Sequence, residues 1–284
     1  GSNLALELEK HGNEVTIADR TIRKENIKGF SGRVLDIDVS KPFEVKEDLD
    51  AIFHIAAITD PRFEDGKEMI RANVEGFKLI IDLAKKNKAK LAYASSASMY
   101  GNGKTPMQED QEKHLMSAYA RSKLMMDKLA EALKDKMHIV GLRYFNVFGP
   151  REAHKGRPAS MIYHLSDQMK QGKRPRLFKM GEQIRDHIYV KDCVTATIKA
   201  LEATSGIYNV GTGIGTSFND LVKALNIALK TDLEPEYFDM PYDPKTYQAN
   251  TQADTRKAEK YLKFKARWTL IDGIKDYMRW LDAD

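Results

Sequence analysis

Tyr119 and Lys123 stand four residues apart in SAYARSK, and Ser96 stands 23 positions before the tyrosine, at the end of the run YASS. On a helix that spacing puts phenol and amine on one face, one turn apart. A phenol with its ordinary pKa near 10 is a poor base, but an adjacent ammonium stabilises the phenolate and draws that value toward working pH. A serine hydroxyl can bond the same substrate oxygen. The trio therefore suits proton transfer at an oxygen held between serine and tyrosine. YxxxK alone recurs by chance, and such a pair more often decorates a solvated helix face; its position after a serine-ended strand gives it weight.

The chain has 284 residues, 42% apolar and 31% charged, the balance of a water-soluble globular protein with room for a deep cleft. The net charge of +5 suits an anionic ligand, but the basic residues are scattered rather than gathered into one stripe, which speaks against nucleic acid. The single cysteine, Cys193, cannot form an internal disulfide. No apolar run approaches the roughly 20 residues that span a bilayer, so no membrane partner is expected and a cytoplasmic setting is. The seven histidines show no metal-ligand spacing, and no metal is expected.

Apolar and β-branched runs alternate with helical patterns: VTIAD (15–19), RVLDID (33–38), AIFHIAA (51–57), LAYASS (91–96), HIVGLRYFNV (138–147) and GIYNVG (206–211). That alternation predicts the α/β class with a parallel sheet covered on both faces. Ile70, Val74, Phe77, Ile81 and Ala84 keep helical spacing, as do Tyr119, Leu124, Met125, Leu129 and Leu133. Met116, Met125 and Met126 read as core fillers. Beyond Pro150 come a basic Gly/Pro stretch, a helix near 159–171, the short run RLF, and RDHIYVKD as a return to the sheet. One domain is expected over 1–147 with 188–214, and a smaller discontinuous one over 148–187 with 215–284.

GSNLALELEKHG reads as a helix N-terminus closed by Gly12, followed by a strand ending in Asp19. That is the back half of a dinucleotide-binding unit, in which a glycine turn approaches the pyrophosphate and an acid roughly 20 positions on takes the ribose hydroxyls. Gly1 would be the last glycine and Asp19 the acid. The unit's first strand and first two glycines are missing, so roughly a dozen residues are expected before Gly1, since a sheet without its central strand leaves edges unpaired. Asp19 repels a 2′-phosphate and favours NAD, whereas Arg20, Arg23 and Lys24 could hold one, which keeps NADP open. GNGKT (101–105) lacks the first glycine of a phosphate loop, Ser98 standing there, and is a plain loop.

FHIAA, Asn73, SSASMYG, YARSK, RYFNVFGP, RDHIYVKD and YNVGTG follow one another in the order and spacing of the extended short-chain dehydrogenase/reductase superfamily, which the whole chain resembles. The resemblance implies a Rossmann-type doubly wound sheet, NAD or NADP, and a homo-oligomer. It makes Ser96, Tyr119 and Lys123 catalytic and places Asp38 and Val39 by the adenine. Ala56, Ala57, Thr59, Asn73 and Phe145 fall along the cofactor, and Asn146 by the substrate.

Superfamily members that dehydrate sugars carry a carboxylic acid beside the serine; here Ala97 and Ser98 stand there, which favours oxidation followed by reduction of the opposite face. GPREAHKG, His164, RDHIYV and YQANTQAD resemble the ADP-glycero-manno-heptose 6-epimerases more than the UDP-hexose 4-epimerases. That match makes Lys155 a second acid/base, and chemistry supplies a reason. Hydride leaves and returns from one direction, so a ketone at an exocyclic carbon must rotate, carrying its oxygen away from Tyr119 toward another proton carrier. The match also nominates His164, Phe178, Arg185 and Tyr247 for a nucleotide-diphosphate sugar, Arg185 being suited to the diphosphate. Arg157 departs from the small residue of that pattern, and the segment before RDHIYV is one residue shorter. His54 reads as a packed strand histidine, Arg185 and Asp186 alternatively as a buried ion pair, and Tyr247 alternatively as a packed aromatic. A non-catalytic NAD(P)-binding scaffold on the same fold is the reading from another class.

Overall fold

The computed structural model describes residues 1–60, 63–241, 243 and 247–283. Helix α1 (Ser2–Lys10) starts directly after Gly1, and Gly12 follows its end at φ +80°, the left-handed position that favours glycine. Strands β1 (Thr16–Asp19) and β2 (Arg33–Asp36) pair in parallel. Next come β3 (Ala51–His54), α2 (Gly66–Ile70), a π-turn at Arg71–Glu75, α3 (Gly76–Asn87) and β4 (Lys90–Ser96). Then follow α4 (Ala118–Glu131) and β5 (Ile139–Tyr144). Phe77, Ile80, Ile81 and Ala84 of α3 recur at helical spacing and are buried against the sheet.

The chain continues through β6 (Asn146–Phe148), α5 (Met161–Lys170), β7 (Arg176–Phe178), β8 (Ile184–Arg185), β9 (His187–Tyr189), α6 (Val190–Lys199) and β10 (Gly206–Val210). It ends with β11 (Thr216–Ser217), α7 (Phe218–Leu229), β12 (Glu236–Phe238) and α8 (Leu270–Ala283). The central sheet has the order β10-β5-β4-β3, parallel throughout. Crossover helices link its strands, the α/β architecture expected of alternating runs. The β1–β2 ribbon is a separate pair, so β1 and β3 do not bond each other.

Two expected strands differ. The run 138–147 breaks at Phe145, where the backbone still bonds Val210 but Asn146 turns to Asp186, and β6 pairs with β9 instead. RDHIYVKD therefore joins β6 rather than the central sheet, and the chain enters α6 at Val190.

The apolar pattern of 119–133 also misjudged a face. On α4 the buried residues include Ser122, Lys123 and Asp127, whereas Met125 is 42% exposed. Of the three methionines, only Met126 is fully buried. Polar partners inside the protein, described below, override the apolar count.

A separate apolar core lies among α5, α7 and α8, with Ile162, Leu165, Leu221, Leu225, Ile274 and Tyr277 buried. Asp186, between β8 and β9, ties the turn after β10 to the segment around Ala253. This buried carboxylate accepts from the Thr212 amide (2.8 Å) and hydroxyl (2.6 Å), the Gly213 amide (2.9 Å) and the Ala253 amide (3.0 Å). Burial nevertheless raises its pKa, the hydrogen bonds opposing. A Cβ on Gly211 would lie 2.7 Å from Asp186 Oδ2 and 2.7 Å from the Ala253 Cβ. Gly211→Ala is therefore expected to destabilise the fold by about 1–3 kcal/mol, read from urea unfolding.

Candidate active site

Strand β4 delivers Ser96 to the C-terminal edge of the sheet, where its hydroxyl accepts from the Ser98 amide at 3.1 Å. Helix α4 begins beside it because Ser117 caps the Ala120 amide at 3.1 Å. Tyr119 occupies the first turn, its phenol buried close to the Ser96 hydroxyl. Burial pushes the phenol above its usual value, and the neighbouring Ser96 hydroxyl opposes that. Lys123, one turn on, is 1% exposed and donates to the Ala94 carbonyl at 2.6 Å, with Nζ 5.8 Å from the Tyr119 ring centre. Burial pushes this amine down to about 8, with Asp127 acting against it. The ammonium does not lower the phenol as expected from the spacing: its proton goes to Ala94, and desolvation dominates at Tyr119.

Asn73 is buried, and its side chain bonds Ile58 twice, accepting from the amide (2.8 Å) and donating to the carbonyl (3.0 Å). It also donates to Ser122 Oγ at 3.0 Å, and Ser122 bonds the Tyr119 carbonyl at 2.8 Å. The loop carrying Ala56, Ala57 and Thr59 is thus fastened to the helix carrying Tyr119. Asn73 acts on that loop through its backbone, a positioning role that residue type alone did not reveal.

Asp19 ends β1 exposed, accepting from the Thr21 amide at 3.0 Å. Asp38 takes the Ser40 hydroxyl (2.7 Å) and amide (3.0 Å), which hold its carboxyl below the usual range, with the Arg20 charge assisting. Val39 packs partly buried against the α3 core, its carbonyl 3.0 Å from where a Gly76 Cβ would sit. Phe145 is buried against Tyr100, ring centres 6.3 Å apart. No atom lies within 4 Å of where a Cβ on Gly1 would be, which leaves open space at the N-terminus of α1. Open space at that helix end, the Asp19 carboxylate and the buried Lys123 fit a dinucleotide.

On the substrate side, Asn146 opens β6, and its Oδ1 accepts from the Thr251 hydroxyl at 3.0 Å. Arg185 does not pair with Asp186. Its two terminal nitrogens donate to the carbonyls of Ile184, Gln248 and Ala249 and to the Tyr247 hydroxyl, at 2.6–2.8 Å. Phe178 meets Tyr247 edge-on at 5.3 Å. His164 on α5 contacts the Arg157 carbonyl at 3.3 Å. Arg157 reaches Asp60 at 3.2 Å. Lys155 ends a short 3₁₀ turn, exposed. The Lys155 charge acts on Gly1, which places this lysine near the start of α1.

Residues 1–211 match the family described as NAD dependent epimerase/dehydratase. The chain belongs to that family. Within the NAD-dependent epimerases it is 38% identical to an ADP-L-glycero-D-manno-heptose-6-epimerase of Brachyspira hyodysenteriae, over 87% of this chain and 80% of that one. The ADP-L-glycero-D-manno-heptose-6-epimerase of Helicobacter pylori is similar in structure, with a TM-score of 0.94 and 33% identity, covering 100% of this chain and 93% of that one. The UDP-glucuronic acid 4-epimerase of Bacillus cereus, solved with UDP-glucuronic acid and NAD, has a TM-score of 0.84 and 26% identity over 100% and 96% of the two chains. The chain is accordingly an epimerase, an isomerase that uses NAD.

Among the described residues no group of three or more His, Cys, Asp or Glu could hold a metal, and no helix is long and apolar enough to cross a membrane. His54 is buried, stacked on Phe77 at 5.6 Å, and pushed down to about 3 by burial and then Lys123. His187 is likewise pushed down to about 3, by burial and then Arg185. Both rings bind a proton far more readily in the unfolded chain, so stability rises with pH from about 3 to about 6.5 and is unaffected by them above that. A His54→Phe/His187→Phe variant should lose less stability between pH 7 and pH 4.5 than the parent, compared by urea unfolding. Asn73→Ala is expected to weaken NADH binding about tenfold, about 1.4 kcal/mol, in a fluorescence titration.

Proposed function

We propose that the protein epimerises an ADP-glycero-manno-heptose at its exocyclic carbon. The observation that carries this reading is the 38% and 33% identity to heptose 6-epimerases over most of the chain. Residues 1–147 with 188–214 then hold the cofactor, and 148–187 with 215–284 the sugar nucleotide. Bound NAD supplies the chemistry of accepting a hydride from the substrate carbon and giving it back.

The chain's own residues manage protons and orientation. Ser96 and Tyr119, side by side, converge on one substrate oxygen, so Tyr119 can take the hydroxyl proton as the carbonyl forms. Lys123 lies beneath it, and the Ala94 carbonyl fixes its direction. After the ketone rotates, its oxygen needs a donor elsewhere, the role assigned to Lys155. This lysine makes no side-chain hydrogen bond or ion pair among the described residues, so its amine is available for a substrate. Arg185 shapes the sugar-nucleotide side by holding Tyr247, Gln248 and Ala249, with the Phe178 ring packed edge-on against Tyr247.

Incubating the protein with NAD and ADP-D-glycero-D-manno-heptose, and following stereochemistry by NMR, should show conversion at the exocyclic carbon. Tyr119→Phe is expected to lower turnover roughly 10²–10⁴-fold and Lys155→Met by a similar factor, with little change in NAD binding. Conversion of UDP-galactose in place of the heptose would overturn the substrate, and full activity in Lys155→Met would overturn the second proton carrier.

A further inference from the structure

The loop that carries Lys155 is closed on a buried carboxylate that takes no part in the proposed chemistry. Residues 153–158 are exposed, yet Glu152, just before them, is 3% exposed. Its carboxylate accepts from the Gly149 amide at 3.2 Å, ahead of the loop, and from the Ser160 amide and hydroxyl, both at 2.7 Å, beyond it. Its own carbonyl accepts from the Lys155 amide at 2.9 Å, across the 3₁₀ turn Ala153–Lys155. Both gripped ends belong to packed structure. Gly149 follows β6 at φ +140°, and a Cβ there would come 2.6 Å from Val190 Cγ1 at the start of α6. Ser160 caps α5 by accepting from the Tyr163 amide at 3.2 Å, and α5 buries Ile162 and Leu165 in the apolar core. Asn3 of α1 donates to the Pro150 carbonyl at 3.0 Å and accepts from Arg151 at 3.1 Å, which fastens the start of the loop to that helix as well.

We propose that Glu152 is a positioning residue for the second proton carrier: its carboxylate draws the two ends of the 149–160 loop together while its carbonyl holds the Lys155 backbone, so the amine is presented from one place. The proposal rests on the reading of Lys155 as that carrier. Burying a carboxylate is costly unless hydrogen-bond donors replace its water, and here the donors come from the loop's own two ends. Opening the loop would strand the charge. A lysine side chain has several rotatable bonds, and Lys155 has no side-chain hydrogen bond or ion pair among the described residues to orient it. Its backbone must therefore be fixed if the amine is to meet a rotated ketone oxygen at the roughly 3 Å that proton transfer requires. Glutamine at position 152 would keep one acceptor oxygen but turn an NH₂ group against an amide that is itself a donor, loosening the closure with almost no change in volume.

The test is a double-mutant cycle of Glu152→Gln with Lys155→Met, turnover of ADP-D-glycero-D-manno-heptose being followed by NMR and folding by circular dichroism. Glu152→Gln should lower kcat about tenfold, with KM and NADH affinity within about twofold of the parent, and should cost less than about twofold more in the Lys155→Met background. Equal losses in the two backgrounds, or parental kcat in Glu152→Gln, overturn the proposal. Full activity in Lys155→Met instead overturns the proton carrier itself, a separate arm of the cycle. A second readout needs no sugar nucleotide, so failure of the substrate assignment leaves it readable: trypsin cleavage of the folded protein after Lys155. Cleavage there should be about tenfold faster in Glu152→Gln, and an unchanged rate overturns the closure. If Glu152→Gln does not fold, Ser160→Ala, which removes one donor and leaves the carboxylate in place, takes its part in the cycle. Its loss of kcat should vanish in the Lys155→Met background, and a loss that persists there overturns the proposal.

Discussion

Helix α4 buries its polar face, and the candidate site follows from the need to satisfy every group on it. An amine, a carboxylate and two hydroxyls lose water there, and each loss costs several kcal/mol unless a partner replaces it. Ser117 caps the first turn, Ser122 meets Asn73, Lys123 meets Ala94, and Asp127 meets Tyr93 and Arg143. Beyond the helix's own cap, these partners come from the π-turn between α2 and α3 and from the neighbouring strands. The helix cannot slide or rotate by one residue without stranding several of them at once. The phenol of Tyr119 is thereby held beside Ser96 by the packing of the whole helix rather than by a single contact.

Asp186 applies the same rule on the other side of the cleft. Its carboxylate gathers the turn after β10 and the segment around Ala253, while its backbone carbonyl receives Asn146. Ser96, Asn146 and Gly211 all follow the carboxyl ends of parallel strands, the edge of such a sheet where ligands collect. Asp186 therefore joins the turn after β10 to the segment around Ala253 beside the start of β6.

The outer rim is built differently. Arg157 pairs with Asp60 while two-thirds exposed, and Lys155 is exposed on a short turn. Exposed pairs of this kind contribute about 0–1 kcal/mol, so substrate can exchange them at little cost. Arg185 is the opposite case, spending its terminal donors on the 247–249 segment. It therefore fixes the 247–249 segment against β8.

Much of this was legible from residue order alone. Alternating runs determined the α/β class and the parallel strands, because strand and helix periods differ and no other pairing buries both. The i, i+4 spacing determined that Tyr119 and Lys123 share a face, and the ordered motifs determined the family. Tertiary structure decided which face of α4 is inside, since Met125 is more apolar than Asp127 yet stays outside: a satisfied carboxylate can be buried, and its partners Tyr93 and Arg143 lie 34 and 16 residues away. It also decided that Arg185 serves Tyr247 rather than Asp186, and that Asn73 acts by clamping Ile58. Local sequence carries periods and spacings, whereas the partner of a buried polar group is chosen only when distant strands and helices are brought together.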